Sequence, residues 1–366
     1  MTQFDYEGRL KRLRAIPGVD AVALVPGMNM RYFTGITYFS SERIILAIYT
    51  PDACAWVVPL LESQTLHNRP DLNAEIFTWN DEEGPLAAVA AALESLKLSG
   101  KTLGVDGQTM RFYEQEWIGQ AMPSLKLKGI ELDLLRIRAI KTPDELELMQ
   151  RAMNISERAL DSLLSDLRPE MTEKEIAKAL NDLQFAYGAE DLAFDTLIQT
   201  GPNSSNPHGN TTDRALDFDE FLLIDFGCKV GGYYSDITRT FVLGDPTPEM
   251  QRIYDTVKAA NEAAIAAAGP GVAAGLVDRA ARRVIEEAGY GPYFTHRTGH
   301  GLGMDGQRSM PQIAGNITYL LEPGMTFTIE PGIYLPGVGG VRIEDNVLIT
   351  DSGLEVMTHF RKSLEI

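Results

Sequence analysis

Four acids and one histidine stand where a chain seldom puts them. LLIDFG, residues 222–227, is an apolar run interrupted by Asp225. Past CKVGGYYS a second acid, Asp236, opens another apolar run. A turn at CKVGG, centred between Val230 and Gly231, sets Asp225 and Asp236 opposite or nearly opposite each other. Like charges facing across strands destabilise the pair. Such carboxylates must share a proton or bind a cation. The plain alternative is one capping aspartate and one exposed aspartate in a slipped register.

THRTGHGLG, residues 295–303, adds His296 and His300. Their spacing would suit a zinc pair on a helix, but Gly299, Gly301 and Gly303 argue against a helix. The expectation is one histidine on a tight loop, where glycines allow close approach, with His300 the ligand candidate. TIEPGIY ends an apolar strand on Glu330. In GGVRIEDNVLIT the period of two puts Arg342 and Glu344 on one face and Ile343 and Asp345 on the other. With the LPGVGG turn centred on Gly337, Glu330 and Glu344 face each other. Four negative charges in one pocket call for about two divalent ions. Oxygen donors with a single nitrogen favour Mn²⁺ first, with Co²⁺ or Zn²⁺ as alternatives. Two ions ~3.5–4 Å apart that share a water suit hydrolysis.

The elements that must carry these residues can be read from the pattern. KTPDELELMQRAMNISERALDSLL opens a long helix, with Thr142 as cap, Pro143 first, and Asp144 and Glu145 in the positive first turn. After RPEM, the run Thr172-Glu173-Lys174-Glu175 is a capping box for the next helix. The same grammar returns in PEMQRIYDTVKAANEAAIAAA, GPGV and AAGLVDRAARRVIEEAG, a hint of two related halves. Strand-rich sequence follows each helix pair, and the unusual carboxylates all lie there. The first third differs. VDAVALVP, RIILAIYT and CAWVVPLL read as buried strands, and residues 85–98 and 109–121 as helices. No strand there runs into a GxGxxG dinucleotide fingerprint. The expected organisation is an α/β domain over 1–132, a linker over 133–143 and a second, α+β domain over 144–366.

The chain length of 366 residues suits two such domains. Its 33 basic and 51 acidic residues give a net charge of -18, which argues against nucleic acid or an anionic membrane as partner. Two distant cysteines, Cys54 and Cys228, give no disulfide framework and suit a reducing compartment. The N-terminal stretch does not read as a signal peptide, and no apolar run reaches the ~18 residues of a membrane span. The expectation is a soluble cytoplasmic protein.

In the contexts IDFG, YYSDITRT, TGHGLG, TIEPG and RIED, the five residues resemble the ligand set of the pita-bread metallopeptidases, family M24. That family includes methionine aminopeptidase, aminopeptidase P and prolidase. The likeness runs from about Ile137 to the end. NMRYFTGI, residues 29–36, resembles the N-terminal signature of the proline-specific branch. The resemblance implies a creatinase-like N-terminal α/β domain followed by an α+β pita-bread catalytic domain. It implies metal ligands at Asp225, Asp236, His300, Glu330 and Glu344, and a small peptide substrate with proline after the scissile bond. It also implies a homodimer whose N-terminal domain narrows the site, and no organic cofactor.

Further roles carry over by context. His208, in TGPNSSNPHGNTTDR, resembles a histidine that hydrogen-bonds substrate, and an imidazole suits proton donation near neutral pH. Glu330 resembles a ligand that doubles as general base. Arg342 would orient carboxylates or the substrate terminus, and Tyr334 would assist. One position departs: Gln307 stands where a second histidine is usual, followed by Arg308. A glutamine can donate through its amide but cannot be a cationic donor. The implied activity is Xaa-Pro dipeptidase, or prolidase. Its alternatives are an Xaa-Pro aminopeptidase acting on longer peptides and a metal-dependent amide hydrolase of another substrate on the same scaffold. A non-catalytic binding module would be expected to lose ligands, and this chain keeps all five.

Overall fold

The computed structural model describes residues 4–306 and 309–366, so the expectation at Gln307 lies outside the described residues. The chain divides into two compact units, Met1–Arg138 and Ala139–Ile366.

In the first unit the three apolar runs become the strands Ala21–Leu24, Leu46–Tyr49 and Cys54–Pro59. They are buried along their whole length, as continuous rather than alternating apolar sequence requires. They form one six-stranded sheet with Glu75–Trp79 at one edge and Thr102–Val105 and Lys126–Gly129 at the other. The helices Leu86–Ser95 and Phe112–Ala121 press Val89, Leu93 and Ile118 onto Leu46, Ile48, Val57 and Leu103. NMRYFTG forms the helix Met28–Thr34, which ends on Gly35 at φ 73°. There the side chain of Asn29 donates to Asp106 at 2.7 Å. The stretch expected as a linker, 133–143, is mostly helical. Helix Glu131–Ala139 carries acids in its first turn and arginines in its last, the polarity that favours a helix, and it extends past the expected boundary at 132.

The second unit repeats one plan. Helices Pro143–Asp166 and Glu173–Ala186 start at capping boxes on Thr142 and Thr172. A three-stranded sheet follows: Ile237–Val242, Phe221–Phe226 and Leu197–Thr200. Leu160, Ile176, Leu180, Ile224 and Phe241 share one core cluster between helices and sheet. Helices Pro248–Ala267 and Ala274–Glu287 lead into a five-stranded sheet. Its order is Ser309–Ile313, Gly299–Gly301, Thr326–Ile329, Asp345–Thr350 and Gly353–Val356. Strands Gly332–Leu335 and Gly339–Arg342 form a separate hairpin. Among the described residues no helix is long and apolar enough to cross a membrane, and both cysteines are free and buried.

Two registers decide where the acids go. Asp225 pairs with Thr238, not with Asp236. Gly231 and Gly232 both take positive φ, 59° and 83°, and are the two central residues of the tight turn. The turn centre therefore lies one position past the expected one. Moving the centre by one residue moves every partner by two, so Asp236 stands diagonal to Asp225. The second hairpin keeps the expected register. Gly332 pairs with Arg342, and beyond a short gap Ile329 pairs with Asp345. The register is the same on both sides of the gap, so Glu330 and Glu344 face each other within it.

His300 lies on the short strand Gly299–Gly301, not on a loop. The flanking glycines let that strand enter the sheet. A Cβ at Gly299 would stand 1.8 Å from the Thr328 carbonyl oxygen, and one at Gly301 2.3 Å from the Met310 backbone.

Candidate metal centre and substrate cavity

The five expected ligands come from separate strands and strand ends, yet they line one cavity of about 280 Å³. Asp236, His300 and Glu344 each offer a ligand atom, and these atoms lie within 4.8 Å of one another. His300 Nε2 is 3.5 Å from Asp236 Oδ2 and 3.4 Å from Glu330 Oε1. His300 Nδ1 lies 3.1 Å from the Gly301 carbonyl oxygen. A proton on Nδ1 satisfies that contact and leaves the Nε2 lone pair aimed at two carboxylates, an arrangement that calls for a cation between them.

Neighbouring residues hold these side chains in place. Thr238 Oγ1 donates to Glu344 at 2.6 Å, and Thr328 Oγ1 donates to Glu330 at 2.9 Å. The side chain of Asn346 accepts from the Asp236 backbone N–H at 3.2 Å and donates to its carbonyl oxygen. Arg342 donates to Asp225 Oδ2 at 2.5 Å, to Thr238 Oγ1 at 3.1 Å and to the Tyr334 hydroxyl at 2.8 Å. The other oxygen of Asp225, Oδ1, is buried without a hydrogen-bond partner.

Electrostatics point the same way. Burial, then the charges of Asp225 and Glu330, pushes Asp236 well above the usual carboxylate range. Burial, then Asp236, Glu330 and Asp225, does the same to Glu344. Burial also raises Asp225, although Arg342 opposes it. For Arg342 burial alone would lower the value, but Tyr334, Asp225, Glu330 and Glu344 together hold the guanidinium charged. Three crowded, proton-retaining acids, an orphaned carboxylate oxygen and an imidazole nitrogen pointed at them form a donor set that fits divalent cations.

A larger cavity of about 780 Å³ adjoins this one, since Phe194, Asp225, His300 and Glu330 line both. Its other walls include Leu197, His208, Arg297 and Arg342. His208 is exposed on the loop after strand Leu197–Thr200. Tyr334 is buried, and its hydroxyl is pushed up to about 12 chiefly by burial.

His296, set aside above as half of an unfit zinc pair, also lines this cavity. Its Nε2 lies 2.8 Å from the Tyr334 hydroxyl and its Nδ1 2.7 Å from the Arg297 carbonyl oxygen. Burial lowers its proton affinity. A proton on Nδ1 makes Nε2 the acceptor for Tyr334, which itself accepts from Arg342. The overlooked signal was the spacing itself: in an extended chain, residues four apart share a face, just as they do on a helix. Arg239 was missed as well. It is 1% exposed, pairs with Asp345 at 2.9 Å and donates to the backbone oxygen of Glu344 at 2.5 Å.

Residues 147–351 match the metallopeptidase family M24, and residues 9–140 match the creatinase/prolidase N-terminal domain. An uncharacterized peptidase of Staphylococcus aureus is 33% identical over 344 residues, covering 94% of this chain and 95% of that protein. The crystal structure of a prolidase from Thermococcus sibiricus superposes with a TM-score of 0.91 at 32% identity, covering 100% of both chains. An X-Pro aminopeptidase from Thermotoga maritima gives a TM-score of 0.85 at 30% identity, covering 98% of this chain and 100% of that one.

Proposed function

This chain belongs to metallopeptidase family M24, and from that membership we propose that it is a metal-dependent Xaa-Pro dipeptidase. The observation that carries the proposal is the orphaned Oδ1 of Asp225, buried beside a cavity that four further ligand-type side chains line. Asp225, Asp236, His300, Glu330 and Glu344 would hold two divalent ions, with Mn²⁺ the first to test. Bound there, the ions supply a water acidic enough to attack at neutral pH and polarise the scissile carbonyl.

The rest of the chemistry falls to the chain's own residues. Glu330 borders both cavities and takes the proton from the attacking water. His208, on the wall of the larger cavity, hydrogen-bonds the substrate carbonyl as charge develops on its oxygen. Arg342 holds Asp225 in place and opposes the upward pull of burial on its carboxyl while it anchors Tyr334. Tyr334 in turn donates to His296, which holds that ring at the cavity wall.

The dipeptidase reading draws on the likeness to the Thermococcus prolidase along the whole chain. A cavity of about 780 Å³ also admits longer peptides, so Xaa-Pro aminopeptidase activity is the second reading. The proposal includes a homodimer and a cytoplasmic location. Hydrolysis of the Xaa–Pro bond, read as proline released from Gly-Pro-type dipeptides and as the free N-terminal residue released from Xaa-Pro-Xaa peptides, with and without Mn²⁺ after exhaustive chelation, is the direct test. Metal-dependent release from the dipeptides is expected. Activity on the longer peptides alone selects the second reading, and full activity without metal overturns both.

A further inference from the structure

Sequence reasoning gives Glu173 no part beyond the first turn of a helix. In the structure it is 0% exposed and reaches away from that helix. Its Oε1 accepts from the Thr200 N–H at 2.7 Å, the Thr200 hydroxyl at 3.0 Å and the Asn203 amide at 3.0 Å. Its Oε2 accepts from the Thr212 N–H at 2.7 Å and the Thr212 hydroxyl at 2.7 Å. A buried carboxylate is tolerated when donors fill its lone pairs, and here they do.

What the two oxygens join matters more than their number. One oxygen holds the start of a loop and the other holds its end. Between them hang Pro207, His208, Gly209, Asn210 and Thr211, all on the wall of the 780 Å³ cavity. His208 is exposed, so side-chain packing does little to fix it, and its place depends on the loop that carries it. Further ties fix that loop, among them the Gln199 side-chain amide, which donates to the Asn206 carbonyl oxygen at 3.0 Å. The Gly340 N–H donates to Ser204 Oγ at 2.7 Å, joining the loop to the hairpin that bears Arg342. A Cβ at Gly340 would stand 2.0 Å from the Ser204 carbonyl oxygen, so the contact needs glycine there. On the other side, Thr211 Oγ1 donates to the Thr196 carbonyl oxygen at 3.1 Å.

We propose that Glu173 is the positioning residue of this loop: its carboxylate closes residues 200–212 into a fixed arch and so sets where His208 meets the substrate. The proposal rests on the dipeptidase reading for His208 but concerns a residue that is not among those lining either cavity.

Glu173→Gln tests it sharply, because the amide group turns one acceptor into a donor. Either the Thr200 end or the Thr212 end then faces donor against donor. Three results are expected. Hydrogen exchange at the Thr200 and Thr212 amides and across 206–211 accelerates, while the strand Phe221–Phe226 is unchanged. The value of kcat/KM falls on the order of 10- to 100-fold, as small misplacements of a substrate-facing group do. The double variant Glu173→Gln/His208→Ala is no worse than His208→Ala alone, whereas a general structural defect would add to it.

Asn203→Ala removes one donor and leaves the carboxylate, so it should move exchange in the same direction by less, even if the glutamine variant folds poorly. Unchanged exchange in both variants overturns the clamp, and additive losses in the double variant overturn the route through His208. The exchange measurement needs no substrate, so failure of the clamp and failure of the dipeptidase reading give different results.

Discussion

Glu173 and Glu344 are the same residue type in the same unit, 0% and 2% exposed, and they are held in opposite ways. Five donors converge on Glu173. Glu344 receives one hydroxyl, from Thr238, and otherwise faces Asp236, Glu330 and Asp225. Burial therefore does not mark a reactive acid. The balance of donors to lone pairs separates a carboxylate that ties chain segments together from one whose lone pairs are left open, as a cation site requires. The same contrast separates the two regions of the site: a loop wall whose polar groups are satisfied, and a strand-borne floor whose acids are not.

The largest effect should come from the floor. Asp236→Ala is expected to lower proline release by more than about 10³-fold, because it opens the ligand set itself. Metal content after dialysis would separate this from a subtler defect, since the variant should retain less Mn²⁺ than wild type. A retained full complement with normal turnover would remove the distinction drawn above.

Stability should respond next, and with opposite signs in the two regions. Glu173→Gln leaves buried donors without an acceptor, so denaturant unfolding in chelator should show a loss of about 2–4 kcal/mol. Asp236→Asn, measured in chelator, should instead stabilise by about 1–2 kcal/mol near pH 8.

The sign follows from linkage. Asp236 is raised in the folded protein, so the folded state binds more protons than the unfolded one. That gives stability at acidic pH that is lost as pH rises through the raised value. The asparagine variant does not titrate there. Its advantage should shrink toward zero as pH falls to the ordinary aspartate range, and metal should reverse it. A metal-free wild type that grows more stable from pH 5 to 8 relative to Asp236→Asn would contradict the picture of unsatisfied acids.

Much of the floor could be read from sequence because strand chemistry is local. Charged residues in apolar runs are visible one by one, and the LPGVGG tip fixes the Glu330–Glu344 register by counting. The first hairpin slipped for an equally local reason. Adjacent glycines allow more than one turn centre, and only the positive φ of both Gly231 and Gly232 selects one. The three central strands of the first unit were plain in their continuous apolar runs, while its helix over NMRYFTG was not. The loop wall was less legible. Glu173 reads as a helix-start acid until the chain brings Thr200 and Thr212 to it, and Arg239 reads as a surface charge until Asp345 is buried beside it. Hydrogen bonds over such separations leave no periodic trace.

The gap between Glu330 and Glu344 has one more consequence. The tip that joins their strands, around Gly337 at φ 83°, is exposed to water, and such tips ordinarily tolerate added or missing residues. This one is expected not to: a single extra residue taken up in the ladder would slide one glutamate away from the other and carry Arg342 off Asp225 in the same movement. The hairpin thus behaves like a ruler whose length is written at the surface and read at the centre. Drift should change the letters there and leave their number alone.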